Sequence, residues 1–372
     1  MSKIVFHLNS MEKGGAERVV SILSGQFAAN GYEVLIATEW QGTDEYPLAE
    51  GVRRVHVGLE AGEDSGRGLL HGRLGNFFKR ISHLRSFLEK EQPDLVIAFA
   101  KKAIYRALLA TGKAGIPVIL SVRTSPVGNY DGKLDKLLIP LLYPKAAGAV
   151  FQTTEARDFF PKTLADRSVV ILNPVRKECQ GHREPAYRKK EIVQVGRLDQ
   201  FKDQLILLQA MYRVHQAYPD YVLKIYGGDS GDGTKEKLQQ SILEHQAQDY
   251  VFLMGSVDHP EEYIGQAALF VLSSYAEGMP NALMEAMALG LPVVATDCPC
   301  GGPAELIRDG ENGKLVPVKD VQAMAEAMLW MLQHREEAEA MGREARKLGD
   351  RADEARVFEA WRDYTDTIIK AE

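Results

Sequence analysis

Cysteine is scarce: the 372 residues hold only Cys179, Cys298 and Cys300. An odd, sparse set excludes a disulfide scaffold. Cys298 and Cys300 also lack the about four ligands a structural metal site takes, so reduced thiols in a loop are expected. Long hydrophobic runs are missing as well. No stretch approaches about eighteen apolar residues, which excludes a membrane-spanning helix. The opening MSKIVFHLNS has no apolar run after Lys3 of the kind a signal peptide carries. Together these gaps lead to the expectation of a cytoplasmic protein. There is no G-x-G-x-x-G dinucleotide fingerprint. Nor is there an excess of positive charge: the net charge is -6 and the pI about 5.9. The first 180 residues carry +5 and the remainder -11, which speaks against nucleic-acid binding.

What is present is a repeated grammar. Apolar, β-rich runs at Lys3–Leu8, Glu33–Thr38, Leu95–Phe99, Pro117–Val122 and Gly148–Gln152 alternate with helical patterns, including Ala16–Asn30 and Ala103–Thr111. The alternation returns with strands at Glu191–Val195, Tyr221–Tyr226, Tyr250–Met254, Leu269–Ser273 and Pro292–Ala295. Helices at Asp203–Ala217, Thr234–His245 and Ala282–Leu289 separate them. Buried strands alternating with helices imply parallel, doubly wound α/β sheets. The reading is an N-terminal domain over 1–173, a polar linker over 174–190 and a C-terminal domain over 191–350. A last helix, within 351–372, is expected to cross back onto the first domain. Ligands of such sheets sit beyond the carboxyl ends of the strands, so two facing domains would hold one substrate each.

The segment YAEGMPNALMEAMALG, Tyr275–Gly290, follows the apolar strand LFVLSS and leads into a helix. Glu277 therefore falls at a strand mouth. Gly278 permits close backbone approach and Pro280 suits a helix start. The free amides of Asn281, Ala282 and Leu283 form a ready anion site, and Glu285 lies about one turn further on. Carboxylates accept hydroxyl hydrogen bonds and amides accept phosphate oxygens, so a nucleotide sugar satisfies the whole segment. Arg197 follows another strand in Val195-Gly196-Arg197-Leu198, with Lys202 at the next helix start. A fixed guanidinium fork and a mobile ammonium suit a diphosphate, and fixed cations act selectively on charge that collects as it leaves. Gly14-Gly15, between the first strand and helix, lets backbone approach a ligand. The glycine-rich Gly227–Gly233 carries two aspartates that would repel phosphate, and is expected to be a plain loop.

The E-x7-E from Glu277 to Glu285, downstream of G-R-L…K and a glycine pair, resembles the family 4 retaining glycosyltransferases. The likeness runs over nearly the whole chain. It implies the GT-B fold, two Rossmann-like domains facing across a cleft, and transfer of a sugar from a nucleotide diphosphate, UDP being the commonest carrier. By that resemblance Glu277 contacts the donor sugar's hydroxyls and Glu285 the ribose. The backbone of Gly278, Met279, Asn281, Ala282 and Leu283 meets sugar and phosphate. Arg197 and Lys202 hold the diphosphate, Gly15 approaches it from the other domain, and the Gly255-Ser256-Val257 loop borders the base. No metal or further cofactor is implied. Many relatives carry a histidine where this sequence has Arg123, in SVRTSP. Arginine cannot act as a base at neutral pH, so Arg123 is expected to contact substrate, in keeping with a front-face mechanism.

For the acceptor, Gly68–Glu91 combines apolar positions, including Leu69, Leu70 and Phe78, with the cations Arg73, Lys79, Arg80, Arg85 and Lys90. Such a helix suits an anionic membrane interface, or packs on the sheet by its apolar stripe. The expected partners are a nucleotide-sugar donor and an undecaprenyl-diphosphate-linked or small soluble saccharide, with peripheral contact at the inner membrane face. An epimerase, a phosphorylase, a two-domain binding protein and a nucleic-acid binder are the rival classes.

Overall fold

The computed structural model describes residues 1–60, 62–63, 72–112, 114–181, 185 and 187–371. The chain forms two compact units, Met1–Asn173 with Ala355–Glu372, and Pro174–Glu354. In the first unit the strands are β1 (Lys3–Leu8), β2 (Glu33–Thr38), β3 (Val52–His56), β4 (Leu95–Phe99), β5 (Val118–Ser121), β6 (Gly148–Phe151) and β7 (Ser168–Val170). They pair in parallel in the order β3-β2-β1-β4-β5-β6-β7. Runs such as KIVFHL and LVIAF are apolar on successive residues because both faces of the sheet are covered by helices.

The second unit has β8 (Lys189–Val195), β9 (Val222–Tyr226), β10 (Val251–Gly255), β11 (Ala267–Leu272), β12 (Val293–Asp297) and β13 (Lys314–Pro317). Its sheet is likewise parallel, in the order β10-β9-β8-β11-β12-β13. Two Rossmann-like sheets with covering helices confirm the fold class expected above. In each sheet the winding reverses once, between β1 and β4 and between β8 and β11. Those reversal points open at the carboxyl ends of the strands and are where ligands of open parallel sheets bind.

Three strands escaped the sequence reading: β3, β7 and β13. All lie at sheet edges. VRRVH, SVV and KLVP are half-buried or alternate with exposed residues, so they lack the continuous apolar run that marks a central strand. The helices Gly15–Ala29, Lys101–Thr111, Gln204–Ala217, Thr234–Glu244 and Asn281–Ala288 fall within two residues of their expected bounds. The last helix begins at Glu354 rather than Arg351, because a separate short helix, Leu348–Arg351, ends at Ala352 before it.

That last helix belongs to the first unit although the second intervenes in sequence. Val357, Phe358 and Trp361 are buried in the first unit's core. Trp361 stacks on Phe99 with ring centroids 6.1 Å apart, and Phe358 meets Phe27 edge-on at 5.1 Å. Fully burying side chains of this kind stabilises by about 1.5–3 kcal/mol each.

Candidate functional site

In the second unit, the reversal between β8 and β11 brings two loops together. Gly196 and Arg197 leave β8; Ser273 and Ser274 leave β11. The loops are sewn at the backbone. Ser273 Oγ donates to the carbonyl of Lys202 at 2.8 Å, Gln194 Nε2 donates to Ser273 Oγ at 3.0 Å, and Tyr275 N donates to the carbonyl of Phe201 at 3.0 Å. Asp199 Oδ1 accepts from the amides of Phe201 and Lys202, at 2.9 and 3.1 Å. The consequence is a fixed pair: Lys202 Nζ lies 2.6 Å from Glu277 Oε1, and Ser274 Oγ donates to that same oxygen at 2.6 Å. The Glu277 and Lys202 side chains are 11% and 23% exposed, so each keeps an open side.

The backbone around Glu277 is set by contact. A Cβ on Gly302 would sit 2.0 Å from the Gly278 carbonyl oxygen, so only glycine lets the Cys298–Gly302 loop seat the Glu277–Pro280 turn. Cys298 lies beside Glu277; burial, with the carboxylate adding to it, pushes its thiol up to about 12, which keeps it protonated and inert. All three cysteines are buried and none forms a disulfide. Helix Asn281–Ala288 starts directly after the turn, capped by Pro280 in extended conformation. Met279 and Leu283 are buried, so those positions offer a ligand only their backbone. Asn281 and Ala282 stay half-exposed.

Two expected residues stand apart from the Lys202–Glu277 pair. Arg197 reaches into solvent, 76% exposed, with Asp199 Oδ2 3.5 Å away. Glu285 is buried in the helix and paired with Arg176, whose Nε is 3.4 Å from Glu285 Oε1. Arg176 Nη1 also donates to the Asp258 carbonyl at 2.9 Å and lies 3.4 Å from Glu261 Oε2. Arg176 falls in the segment expected to be a polar linker, and its pairing with Glu285 across so many residues leaves no spacing to read; Ser274 holds Glu277 from only three residues before it, a local contact that a serine at a strand end does not announce. Val257 is half-buried in the loop after β10. The Gly227–Gly233 loop is fixed by close packing and local hydrogen bonds. A Cβ on Gly227 would meet the Gly196 carbonyl oxygen at 1.9 Å, and Asp232 accepts from the amides of Gln200 and Thr234 at 3.0 Å each.

The carboxyl edge of the first unit has its own buried polar groups. Arg123 follows β5 and is buried between Phe99 and Trp361, its guanidinium carbon 5.2 and 5.3 Å from their ring centroids. Its Nε donates to Ser121 Oγ and its Nη1 to Asn173 Oδ1, both at 2.7 Å. Nη2 finds no acceptor among the described residues, and burial lowers the group to about 9. Both partners are neutral, and the buried Nη2 nitrogen is left to be met by an anionic or hydroxyl oxygen. Near β1 and β2, Glu39 Oε1 lies 3.0 Å from Arg106 Nε and its Oε2 2.9 Å from Arg80 Nε. Burial nevertheless raises the Glu39 carboxyl above its ordinary value. His7 is fully buried beside this cluster, its Nδ1 3.0 Å from the Ala37 carbonyl; burial, then Arg106, lowers it to about 3. Gly15 is the first residue of helix Gly15–Ala29.

The expected basic helix needs correction. Residues 68–71, with Leu69 and Leu70, lie outside the described residues; the helix runs Leu74–Glu91. Its cations largely serve the protein rather than a free face. Lys79 donates to the Glu63 carbonyl at 2.7 Å, Arg80 pairs with Glu39, and Arg85 donates to the carbonyls of Leu109 and Ala110, at 2.9 and 3.3 Å. Arg85 thus caps the end of helix Lys101–Thr111, where exposed carbonyls attract a cation. Arg73 and Lys90 are exposed.

Comparison with known proteins fits this arrangement. The profile of Glycosyltransferase Family 4 matches residues 13–178 and that of Glycosyl transferases group 1 matches residues 178–348. An uncharacterized glycosyltransferase of Methanocaldococcus jannaschii is 30% identical over 254 residues, 62% of this chain and 61% of that one; the match therefore spans less than two thirds of that relative. The N-acetylgalactosamine-N,N'-diacetylbacillosaminyl-diphospho-undecaprenol 4-alpha-N-acetylgalactosaminyltransferase of Campylobacter jejuni is 26% identical over 90% of this chain and 91% of its own. Anabaena HepE, crystallised with UDP and glucose, superposes with a TM-score of 0.81 at 18% identity, over 99% of this chain and 100% of its own. With two matching profiles from residue 13 to 348 and two parallel sheets of the required order, the chain is a glycosyltransferase of the family 4 type with the GT-B fold.

Proposed function

We propose that the chain moves a hexose or N-acetylhexosamine from a UDP-sugar to a hydroxyl of an undecaprenyl-diphosphate-linked saccharide, retaining the anomeric configuration. The observation that carries the reading is the Lys202–Glu277 pair, held by Ser274 at a reversal point of the second sheet. Glu277 has a second carboxylate oxygen to accept sugar hydroxyls. Lys202 and the solvent-reaching Arg197 supply cations for the diphosphate. The backbone of Gly278, Met279, Asn281, Ala282 and Leu283 supplies amides, and Glu285 accepts the ribose hydroxyls. Val257 borders the base.

In the transfer, the bond from the anomeric carbon to the diphosphate oxygen breaks as the acceptor oxygen bonds to the same face. The acceptor's proton passes to the departing phosphate oxygen, so no side-chain base is required and no metal enters the scheme. Lys202 and Arg197 act on the charge that grows on the diphosphate, where fixed electrostatics lower the barrier most. Arg123 offers its third donor to an oxygen of the sugar or the acceptor. The lipid-linked acceptor is supported by the Campylobacter relative, whose substrate carries diphospho-undecaprenol; with such an acceptor the enzyme would work at the inner face of the membrane.

A thermal-shift series against UDP, GDP and ADP tests the donor reading. A ligand at 100 times its Kd stabilises the native state by about 2.7 kcal/mol, and the reading expects that response to UDP alone. Glu285→Ala should abolish it. Glu277→Ala should keep the response to UDP and lose the extra stabilisation by the UDP-sugar. Equal responses to all three nucleotides, or none, would remove the assignment of the base and the diphosphate.

A further inference from the structure

Helix Lys133–Leu142, KLDKLLIPLL, has a buried side and an uncovered apolar one. Asp135, Ile139 and Leu142 are buried against the first unit. On the other side Leu134, Leu137 and Leu141 are 66%, 67% and 59% exposed, and Leu138 is half-buried beside them. Positions 134, 137 and 141 recur at helical spacing and form one stripe. Three large aliphatic side chains in contiguous exposure are costly in water and mark a surface that something apolar covers.

The charge around the stripe says what. Between residues 133 and 145 the exposed charged side chains are Lys133, Lys136 and Lys145. The one acid in that span, Asp135, is buried, 2.8 Å from both Lys101 Nζ and Tyr105 OH. Just upstream, the exposed Asp131 accepts from the amide of Gly128 at 3.1 Å. A leucine stripe edged by lysines, with its carboxylate withdrawn, complements an anionic lipid surface: leucines enter the acyl boundary while ammonium groups stay among the headgroups.

The neighbouring helices start at the same edge of the sheet. Helix Leu74–Glu91 packs on Lys101–Thr111, which packs on Lys133–Leu142. Each runs back from the carboxyl edge of the sheet to the next parallel strand, so all three start at that edge. Near the start of the first, Leu74 and Phe78 are 46% and 64% exposed, with Arg73 exposed before them. No helix among the described residues is long and apolar enough to cross a membrane. We infer that helix Lys133–Leu142 docks the first unit onto an anionic bilayer, its leucines inserted and Lys133 and Lys136 at the headgroups. The membrane contact expected from the sequence thus moves off the Lys79, Arg80 and Arg85 face, which the fold has already used.

The inference deepens the lipid-linked acceptor reading but is measured without donor or acceptor. Full-length protein is floated with vesicles of phosphatidylglycerol and phosphatidylcholine, and with phosphatidylcholine alone. Wild type should bind the anionic vesicles. The combined Leu134→Ser, Leu137→Ser, Leu141→Ser variant should lose at least about tenfold in partition. Each of Lys133→Gln and Lys136→Gln should lower it about fivefold on anionic vesicles. These side chains are exposed, so the Tm of the unliganded protein should be unchanged and serves as the folding control. Absence of wild-type binding, or full binding by the leucine variant, would overturn the inference. So would a wild-type dimer in gel filtration that the leucine variant converts to monomer, since a second copy would then be the occupant.

Discussion

Lys202 and Glu277 stand 75 residues apart in sequence and 2.6 Å apart in the fold. Nothing in the chain's spacing announces that contact; the sequence reading reached each residue separately, by its place after an apolar strand. Ser274 and Arg176 show the limit. Their value lies in which carboxylate they hold: Arg176 meets Glu285 from far away in sequence, where no period exists, and Ser274 meets Glu277 three residues on, where a serine in a loop carries no mark of its partner. Glu277→Gln keeps the side chain's size and removes its charge. Turnover should fall at least about a hundredfold, the scale of losing a fixed electrostatic partner of the transition state, while circular dichroism stays native; near-normal turnover would refute the role given to the carboxylate. Arg197→Ala, at an exposed position, should leave Tm unchanged and weaken diphosphate binding by about 1.5–3 kcal/mol, read by calorimetric titration of UDP. His7 carries a different consequence. Its folded-state value of about 3 lies below the ordinary 6.5, so the native state holds it neutral. Its stabilising contribution is complete above about pH 6.5 and shrinks as pH falls towards 3, by up to about 1.4 kcal/mol per unit. Denaturant unfolding of His7→Gln between pH 7 and 4 should show a shallower loss than wild type; parallel curves would contradict the buried neutral histidine.

At the scale of elements, what is legible from sequence is what is buried on both faces. β1, β2 and β4 were readable to the residue because their apolar runs are covered above and below. Edge strands β3, β7 and β13 face solvent on one side or are three or four residues long, and their patterns dissolve into loop. The turn carrying Glu277 was legible by its glycine and proline, yet the second glycine that seats it, Gly302, was not. Gly302→Ala would place a methyl group 2.0 Å from the Gly278 carbonyl oxygen. The turn must then shift, and with it Glu277 and the start of helix Asn281–Ala288. The expected result is a loss of turnover of about tenfold or more together with a lower Tm, whereas Gly310→Ala, with nothing within 4 Å but a φ of +79, should lower Tm without a matching loss of turnover. Equal activity in Gly302→Ala and wild type would show the turn to be more pliable than packed backbone allows.

The whole molecule is not assembled in chain order. The first unit takes its strands from residues 3–170 and completes its core with helix Glu354–Lys370, after the second unit has been made. Trp361 and Phe358 then cover Phe99 and Phe27. Ending the chain at residue 353 would uncover those rings and remove the Trp361 face from Arg123. Calorimetry of the truncated protein should lose or lower one of two unfolding transitions and keep the other; loss of both would mean that the units do not unfold separately.

Sugar transfer from a UDP-sugar to a lipid-linked saccharide with retention is read directly in one product analysis. The purified chain is supplied with UDP-hexoses and UDP-N-acetylhexosamines, and with undecaprenyl-diphosphate-linked saccharides as acceptors. UDP release is followed, and the anomeric configuration of the new linkage is read by NMR. Expected are acceptor-dependent UDP release, a product with the donor's own α-configuration, and loss of both in Glu277→Gln. An inverted linkage, or UDP release only with a water-soluble acceptor, would contradict it.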